Sequence, residues 1–455
     1  MRAFTVRQAL EATGGRYFGP ESALDARIIR VSSDSRDIGP GTLFVAFKGA
    51  RVDGHSYMAD CLNRGAVCCI SEREPESAAE MPLIRVRSSL AAIGALAGWY
   101  RRGFNLPVVG ITGSVGKTTT KEMISAVLER KFRVHKTEKN FNNELGVPRT
   151  LLSMPEDAQA AVVEMGISDF GEMTRLTDMV RPNIAVITMI GDAHLEFLHD
   201  RPGVLRAKTE IFKSMQLDDL AIVNGDDPLL STYEAPVRRL TFGMQPGNDF
   251  VARGVKNLGG DGMRFEICHH GQTFPVQIPA FGTHLPYAAL AGAAVGWALG
   301  LTDAQIAAGL ADFETVGNRA RLIQTGGITI LSDCYNANPN STASAIDSLT
   351  ALPGRGVCIL GDMLELGENS AALHRSVGAH AAERGVQLVI GCGKLAREIA
   401  AGARDAGANA LYFENKEALI QALPEILHSG DKVLVKASHS MAFEQIVAAI
   451  EATNS

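Results

Sequence analysis

No two cysteines in this 455-residue chain are spaced as C-x-x-C. The seven present, Cys61, Cys68, Cys69, Cys268, Cys334, Cys358 and Cys392, are odd in number and irregularly placed. That excludes a disulfide framework and a cysteine-based zinc module, and it fits reduced thiols. Cys268-His269-His270 has no second ligand cluster at matching spacing, so it reads as structural. Cys392, in IGCGK, reads as a small buried residue at a strand end. The opening MRAFTVRQALEATGG lacks the apolar core of a secretion signal. The longest weakly polar run, Tyr287 to Leu301, is mostly Ala and Gly. It is shorter than the roughly 20 residues that span a bilayer, and it reads as a buried helix packed through small side chains. A basic excess is missing as well. The net charge of −6 argues against a general nucleic-acid binder, while small anionic ligands stay open because local fields outweigh the total. No short repeat and no low-complexity tract is present. The expectation is a soluble, cytoplasmic protein with no membrane insertion and no nucleic-acid partner, working as a monomer.

What the chain does contain is enough apolar sequence, 46% against 21% charged, to build ordinary globular cores. Its length gives about three domains at roughly 100–200 residues each, expected at 1–103, 104–314 and 315–455. In the first, short apolar runs alternate with Gly-Pro-Gly turns as in RIIRVSSDSRDIGPGTLFVAF. A helix is expected over Leu83 to Tyr100, with RRGFNLP as a linker. From Pro107 the pattern becomes strand then helix: PVVGIT, AAVVEMG, NIAVITMIG and LAIVNGD are apolar strands ending in Gly with acidic residues nearby. Such alternation predicts a mainly parallel sheet covered on both faces, with ligands at the carboxyl ends of its strands. ITILSDCYNANPN, GVCILGDM, VQLVIGCG and DKVLVKAS predict a further, Rossmann-like α/β domain. The fold class is therefore α/β in three domains.

Between the first of these strands and its helix lies Gly110-Ile-Thr-Gly-Ser-Val-Gly-Lys-Thr-Thr-Thr120. Glycines let a backbone curl so that successive N–H groups point at phosphate oxygens, and the following helix presents its positive dipole end. Lys117 is placed to reach the outer phosphates and Thr118 to ligate Mg²⁺. Gly113, Ser114, Val115, Gly116 and Thr119 complete the loop. The strict spacing G-x-x-x-x-G-K-[ST] is missed by one residue, since Gly110 comes one place early. A loop of this kind does not by itself name a reaction.

TGSVGKTTT, with that one-residue departure, resembles the ATP loop of the Mur ligases and the related folylpolyglutamate synthetases. Other segments resemble the family in the same order: NFNNELGVP (140–148), VVEMGIS (162–168), GDAHLEFLHD (191–200), AKTEIF (207–212), SDCYNANP (332–339) and LGDMLELG (360–367). DSRDIGPGTLFVAFKGARVDGHSY (34–57) resembles the UDP-sugar-binding domain of the members that add the third residue and the terminal dipeptide. NFNNELGVP and LGDMLELG favour the dipeptide-adding member. The D-N-P-R of the diaminopimelate-adding member is missing. The resemblance implies an ATP- and Mg²⁺-dependent ligase. It would phosphorylate the carboxylate of UDP-N-acetylmuramoyl-tripeptide and let D-alanyl-D-alanine attack the acyl phosphate. Competing readings are a Mur-type ligase adding a single amino acid, a folate-tail ligase, and a P-loop NTPase without ligase activity.

The resemblance also implies roles. Glu164 and His194 would hold Mg²⁺ with Thr118, and Lys208 would join them if carbamylated. Lys117, Lys208, His194 and Arg319 would be catalytic. Asn142, Asn143, His284, Arg319, Asp333, Tyr335 and Asn336 would meet ATP. Ser35, Arg36, Asp53 and His55 would meet the UDP-substrate. Asn338, His374, Lys436 and Ser438 are candidates for the amino-substrate side. Bland readings stand beside these: a structural ion pair for Glu164, a solvated loop for His194, a surface lysine for Lys208, a turn closed by Pro339 for Tyr335 to Asn338, and a salt bridge and a turn for the UDP-side residues. The chain departs from the family at Leu285 and Ala288, where asparagines are common, and at Ala437 and His439, where Gly and Arg are usual. The first pair bears on adenine contacts. Closure of the two ATP-side domains, which would exclude water from the acyl phosphate, is expected.

Overall fold

The computed structural model describes residues 1–49, 52–74, 81–258, 261–315 and 321–453. Arg319 and its neighbours at 316–320 lie outside them. Three larger sheets organise three α/β domains, beside a two-stranded pairing of Phe4–Thr5 with Arg27–Ile28.

The first is a five-stranded sheet in the order Arg16–Phe18, Leu83–Arg85, Ala66–Ser71, Thr42–Val45, Arg30–Ser32. All its neighbours are parallel except the first pair. The expected helix from Leu83 begins later, because Leu83–Arg85 is a strand and Ser88 caps a helix over Ser89–Arg102 by accepting from the Ala91 amide. The expected linker is no loose tether either. Arg101 is buried, and its guanidinium donates to the carbonyls of Val180 at 3.1 Å and Phe104 at 3.0 Å. Three backbone carbonyls, with that of Arg181, replace the water such a group would otherwise need.

The central sheet has nine strands, ordered Gln272–Ile278, Met263–His269, Phe250–Asn257, Arg238–Gly243, Leu220–Asn224, Ile184–Ile187, Val108–Thr112, Ala160–Glu164, Val134–Lys136. Seven run parallel and the last two in sequence add an antiparallel edge. That edge was not anticipated, though MRFEICH and QTFPVQI alternate buried and exposed residues around the turn at Gly271, as a hairpin should. The Ala-rich run is a helix over Leu285–Ala298, buried nearly all round. Its small residues matter: a Cβ on Gly296 would stand 2.7 Å from Val127 of the Lys117–Leu128 helix.

The C-terminal sheet is ordered Arg321–Thr325, Ile328–Ser332, Asp431–Lys436, Arg355–Gly361, Leu388–Cys392, Asn409–Phe413, parallel apart from the first hairpin. Cys392 is fully buried at the end of its strand. The carboxyl ends of the central strands Val108–Thr112, Ala160–Glu164 and Ile184–Ile187 lead into the loops that meet this domain.

Tyr100 ties the first domain to the second. Its hydroxyl donates to the Met154 carbonyl at 2.8 Å and accepts from the Arg2 amide at 2.6 Å, with no exposure of the side chain. Tyr100→Phe leaves a buried carbonyl and an amide short of a partner, which costs about 1–3 kcal/mol. Trp99, packed edge-on to Phe4 at 5.4 Å, reports on that region. We expect its fluorescence transition in urea to move to lower denaturant in Tyr100→Phe; an unmoved midpoint would show the tie to be idle.

Candidate active site

The strand Val108–Thr112 delivers the chain into a turn that only glycine can make. Gly113 has φ +147°, and a Cβ there would lie 1.9 Å from the Thr188 hydroxyl. Gly116, at φ +85°, caps the helix Lys117–Leu128 with open space around it, so its need is conformational. The loop is braced on the next strand's exit. The Ser114 amide donates to the Met189 carbonyl at 2.9 Å, the Ser114 hydroxyl exchanges hydrogen bonds with the Gly191 backbone, and Thr188 donates to the Val115 carbonyl at 2.5 Å. Lys117 folds back over the loop, Nζ donating to the Gly113 carbonyl at 2.8 Å.

Beneath the loop lies Glu164, only 1% exposed. Its Oε2 accepts from the Thr118 hydroxyl at 2.9 Å, its Oε1 from the Asn142 amide at 2.8 Å, and its own amide donates to Thr137 at 3.0 Å. Among the described residues no cation pairs with it, so the structural ion pair considered above is not what the fold builds. Gly166 is part of the arrangement, since a Cβ there would meet the Asn142 side chain at 2.9 Å. Two neutral donors hold this carboxylate in place.

His194 caps the short helix Leu195–Leu198 in the left-handed region, φ +56°. Its Nδ1 stands 2.6 Å from Glu365 of the C-terminal domain. Burial, then the charges of Lys208 and Lys117, hold its pKa below the ordinary imidazole value. Lys208 sits in the helix Arg201–Thr209, which Asp200 caps by accepting from Gly203 at 2.7 Å. It is 1% exposed and no carboxylate pairs with it among the described residues, so a surface lysine is excluded. Burial, then Lys117, push its pKa well below the usual amine value.

A cavity of about 390 Å³ opens between the central and C-terminal domains. Its walls bring together Ser114 to Thr119, Asn142, Asn143, Glu164, His194 and His284 with Asp333, Tyr335, Asn336, Asn338 and Lys436. Lys436 secures the far wall: Nζ donates to Asp333 Oδ2 at 2.5 Å and to the Asn336 carbonyl at 2.7 Å. Asn338 caps the helix Pro339–Thr350, its Oδ1 accepting from Ser341 at 2.8 Å. The Tyr335 ring lies 5.6 Å from that of His439.

Other candidates lie apart. Ser438 accepts from the Leu364 amide at 3.0 Å, steadying the loop after Gly361. His374 is fully buried, with Nδ1 on the Ser370 carbonyl at 2.7 Å and Nε2 accepting from the Met363 amide at 2.9 Å. Both ring nitrogens are engaged within the domain, so it braces backbone where a substrate contact was expected. Burial keeps its pKa down. The four UDP-side candidates do not line this cavity. Arg36 forks onto Asp34 and holds that carboxyl down at about 2. The Ser35 carbonyl accepts from Arg64 at 2.7 Å. Asp53, held at about 2 by His55 and then Arg73, accepts from His55 Nδ1 at 2.7 Å, while His55 Nε2 accepts from the Glu72 amide. Leu285 and Ala288 are buried in the central core, away from the cavity.

Several cavity residues escaped sequence reasoning. Ser341, Ser344 and Ser348 line it from one helix face, and their helical spacing in PNSTASAIDSLT was the available signal. Gly166, Ser168 and Glu172 follow Glu164 into the wall.

Family models cover most of the chain: Mur ligase family, catalytic domain, over 27–101; Mur ligase middle domain over 111–296; and Mur ligase, glutamate ligase domain, over 318–439. The UDP-N-acetylmuramoyl-tripeptide–D-alanyl-D-alanine ligase of Bacillus subtilis (strain 168) is 37% identical over 97% of both chains. The chain belongs to the Mur ligase family. Among solved Mur ligases, MurF from Acinetobacter baumannii superposes with TM-score 0.91 at 30% identity, covering 99% of each chain. MurF from Thermotoga maritima in complex with ADP gives TM-score 0.83 at 30% identity, covering 93% of this chain and 97% of that one.

In this Mur ligase the lowered pKa of Lys208 has a stability consequence. Between its folded pKa and the unfolded value of 10.5, the unfolded chain binds a proton that the folded chain does not. Stability therefore rises with pH through that window and is lost as pH falls. Lys208→Met removes both the slope and an unpaired buried amine. In carbon-dioxide-free buffer near pH 7 we expect Lys208→Met to unfold at higher temperature than the native chain, by on the order of 1 kcal/mol or more. The gap should narrow as pH is raised toward 10. A native chain that is the more stable at pH 7 would contradict this.

Proposed function

We propose that the chain joins D-alanyl-D-alanine to UDP-N-acetylmuramoyl-tripeptide, consuming ATP and giving the pentapeptide, ADP and phosphate. The observation that carries this reading is an end-to-end likeness to D-alanyl-D-alanine ligases in both sequence and fold. The ADP complex of the Thermotoga maritima relative supports ATP as the energy source. The reaction places the enzyme in the cytoplasm, where its nucleotide substrates are made. No helix among the described residues is long and apolar enough to cross a membrane.

Condensing a carboxylate with an amine in water is uphill, and phosphorylating the carboxylate first makes it downhill. The protein's work is then positioning and charge stabilisation. The amides of Ser114 to Lys117 and the start of the following helix face the phosphates, and Lys117 leaves the Gly113 carbonyl to meet them. Asp333, Tyr335 and Asn336, anchored by Lys436, and His284 on the opposite wall frame the nucleotide. Arg319, outside the described residues, brings a planar fork for the transferring phosphoryl group. Asn338 and Lys436 face the amine side. Ser35, Arg36, Asp53 and His55 belong to the UDP end, with the Asp53 turn shaping it more than touching ligand.

The residues suit Mg²⁺. Thr118 and Glu164 are adjacent oxygen donors, and Glu164 is a buried carboxylate whose partners are all neutral. His194 and a carbamylated Lys208 would hold a second ion. Burial lowers the Lys208 pKa, which favours the uncharged amine that takes up carbon dioxide, and carbamylation would turn that side chain into an anion. When bound, Mg²⁺ neutralises the phosphate oxygens so that a carboxylate can approach them. Domain closure keeps water from the acyl phosphate.

Phosphate release is measured with Mg-ATP, UDP-N-acetylmuramoyl-tripeptide and D-alanyl-D-alanine, each omitted in turn. We expect release to need all three, a pentapeptide product by mass, and a loss of about 10²–10³-fold in Lys117→Ala. Release with a single amino acid on a shorter precursor would move the enzyme to another step. Release from ATP alone, indifferent to both acceptors, would end the ligase reading.

A further inference from the structure

His194 and Glu365 share an unusual backbone state. Both are left-handed, at φ +56° and +61°, and neither is glycine. Such strain persists only where the surroundings enforce it. The two sit on loops of different domains, His194 beyond the strand Ile184–Ile187 and Glu365 beyond Arg355–Gly361. Across the interface their side chains meet, Nδ1 to Oε2, at 2.6 Å.

With a carboxylate oxygen as the acceptor, the contact places a hydrogen on Nδ1, and in the neutral tautomer so selected the lone pair lies on Nε2. The approach of the two loops is fixed by further contacts. The Asp192 amide donates to Asn340 Oδ1 at 2.8 Å, and Gly191 lies where a Cβ would stand 2.6 Å from that same oxygen. Gly367 rests on the Glu196 backbone, where a Cβ would be 3.3 Å from the Glu196 Cα. Glu365 itself is about half exposed, with 52% of its side-chain surface open. A pair that exposed contributes little to holding the fold, so stability does not account for a strained glutamate here. Directing the ring of His194 does.

The geometry points to Glu365 as a positioning residue: the C-terminal domain supplies the carboxylate that fixes the tautomer and direction of His194 as a metal ligand of the central domain. The inference rests on His194 as a metal ligand. It adds that this ligand is complete only while the two domains are in contact, so that their approach and the readiness of the metal site become one event. Carboxylate partners of this kind orient ligating histidines and raise their basicity, and losing one costs about 10–100-fold in metal affinity.

The test uses the full chain with ADP and Mn²⁺, followed by electron paramagnetic resonance, and ¹⁵N-histidine NMR. The chain has 11 histidines, so the His194 signal and the ion that His194 holds are both assigned by their loss in His194→Ala. In Glu365→Ala we expect that ion to bind about tenfold more weakly or worse, and His194 to show tautomer-averaged ¹⁵N shifts. The turnover number should fall while KM for the nucleotide stays close to native. Glu365→Gln keeps an acceptor oxygen and should restore the Nδ1–H tautomer. Glu368→Ala, exposed on the same loop, should match the native chain in ion binding, and its melting temperature should match that of Glu365→Ala. Native ion affinity and tautomer in Glu365→Ala, with binding lost in His194→Ala, would overturn the positioning role and leave the metal reading intact. Ion binding untouched in His194→Ala would overturn both.

Discussion

Everything in the central site is arranged around one buried carboxylate. Glu164 ends an apolar strand with 1% exposure and is met by a hydroxyl and an amide, both uncharged. A carboxylate so placed is costly unless it is hydrogen-bonded or paired, and its neighbours follow from that need. Thr118 must lie on the first turn of the loop helix to reach it, which sets the register of the phosphate loop. Asn142 must reach across, which forbids a side chain at Gly166. The strand register that pairs Glu164 with Ile111 keeps carboxylate and loop level at the sheet's carboxyl edge, where α/β sheets bind ligands.

The charges around it are unbalanced in a way that suits a polyanion. Burial, then Lys208 and Lys117, lower the pKa of His194, and burial, then Lys117, lower that of Lys208. Lowered pKa values of this kind reduce the repulsion among the three side chains. The opposite wall is assembled differently. Asp333 and Asn336 are anchored from below by a fully inward Lys436, which holds that wall in place before any ligand arrives.

The sequence made the loops at the sheet edge readable because their constraints are local. Gly113 and Gly116 are required by backbone geometry, and the carboxylate of Glu164 stands out at the end of AAVVE because nothing apolar explains it. The edge strands Met263–His269 and Gln272–Ile278 obeyed period-two alternation but lay between stronger signals. The Leu83–Arg85 strand is three residues long, too short for periodicity to separate it from the helix that follows. His374 was a candidate for the amino-substrate side, yet both its nitrogens serve backbone groups. Glu365 and Asn340 could not be assigned at all: each acts through a contact with a residue more than a hundred positions away, and no spacing rule encodes which faces of two domains will touch.

Strained backbone is distributed in the same spirit. Arg181 ends a helix in the left-handed region and His270 turns a hairpin, both ordinary uses of that conformation. His194 and His199 differ, because they bracket the single-turn helix Leu195–Leu198 from both ends. Each costs on the order of 1–3 kcal/mol, and four helical residues cannot offset that from their own hydrogen bonds. What holds the segment is packing: Leu198 is wholly buried in the central core, and Asp200 caps the next helix immediately beyond it. The fold thus fastens the loop at one end and leaves His194, at the other, facing the cavity and the second domain. A histidine on a freely jointed loop would lose its orientation, and the packing of Leu198 with the cap at Asp200 prevents that here.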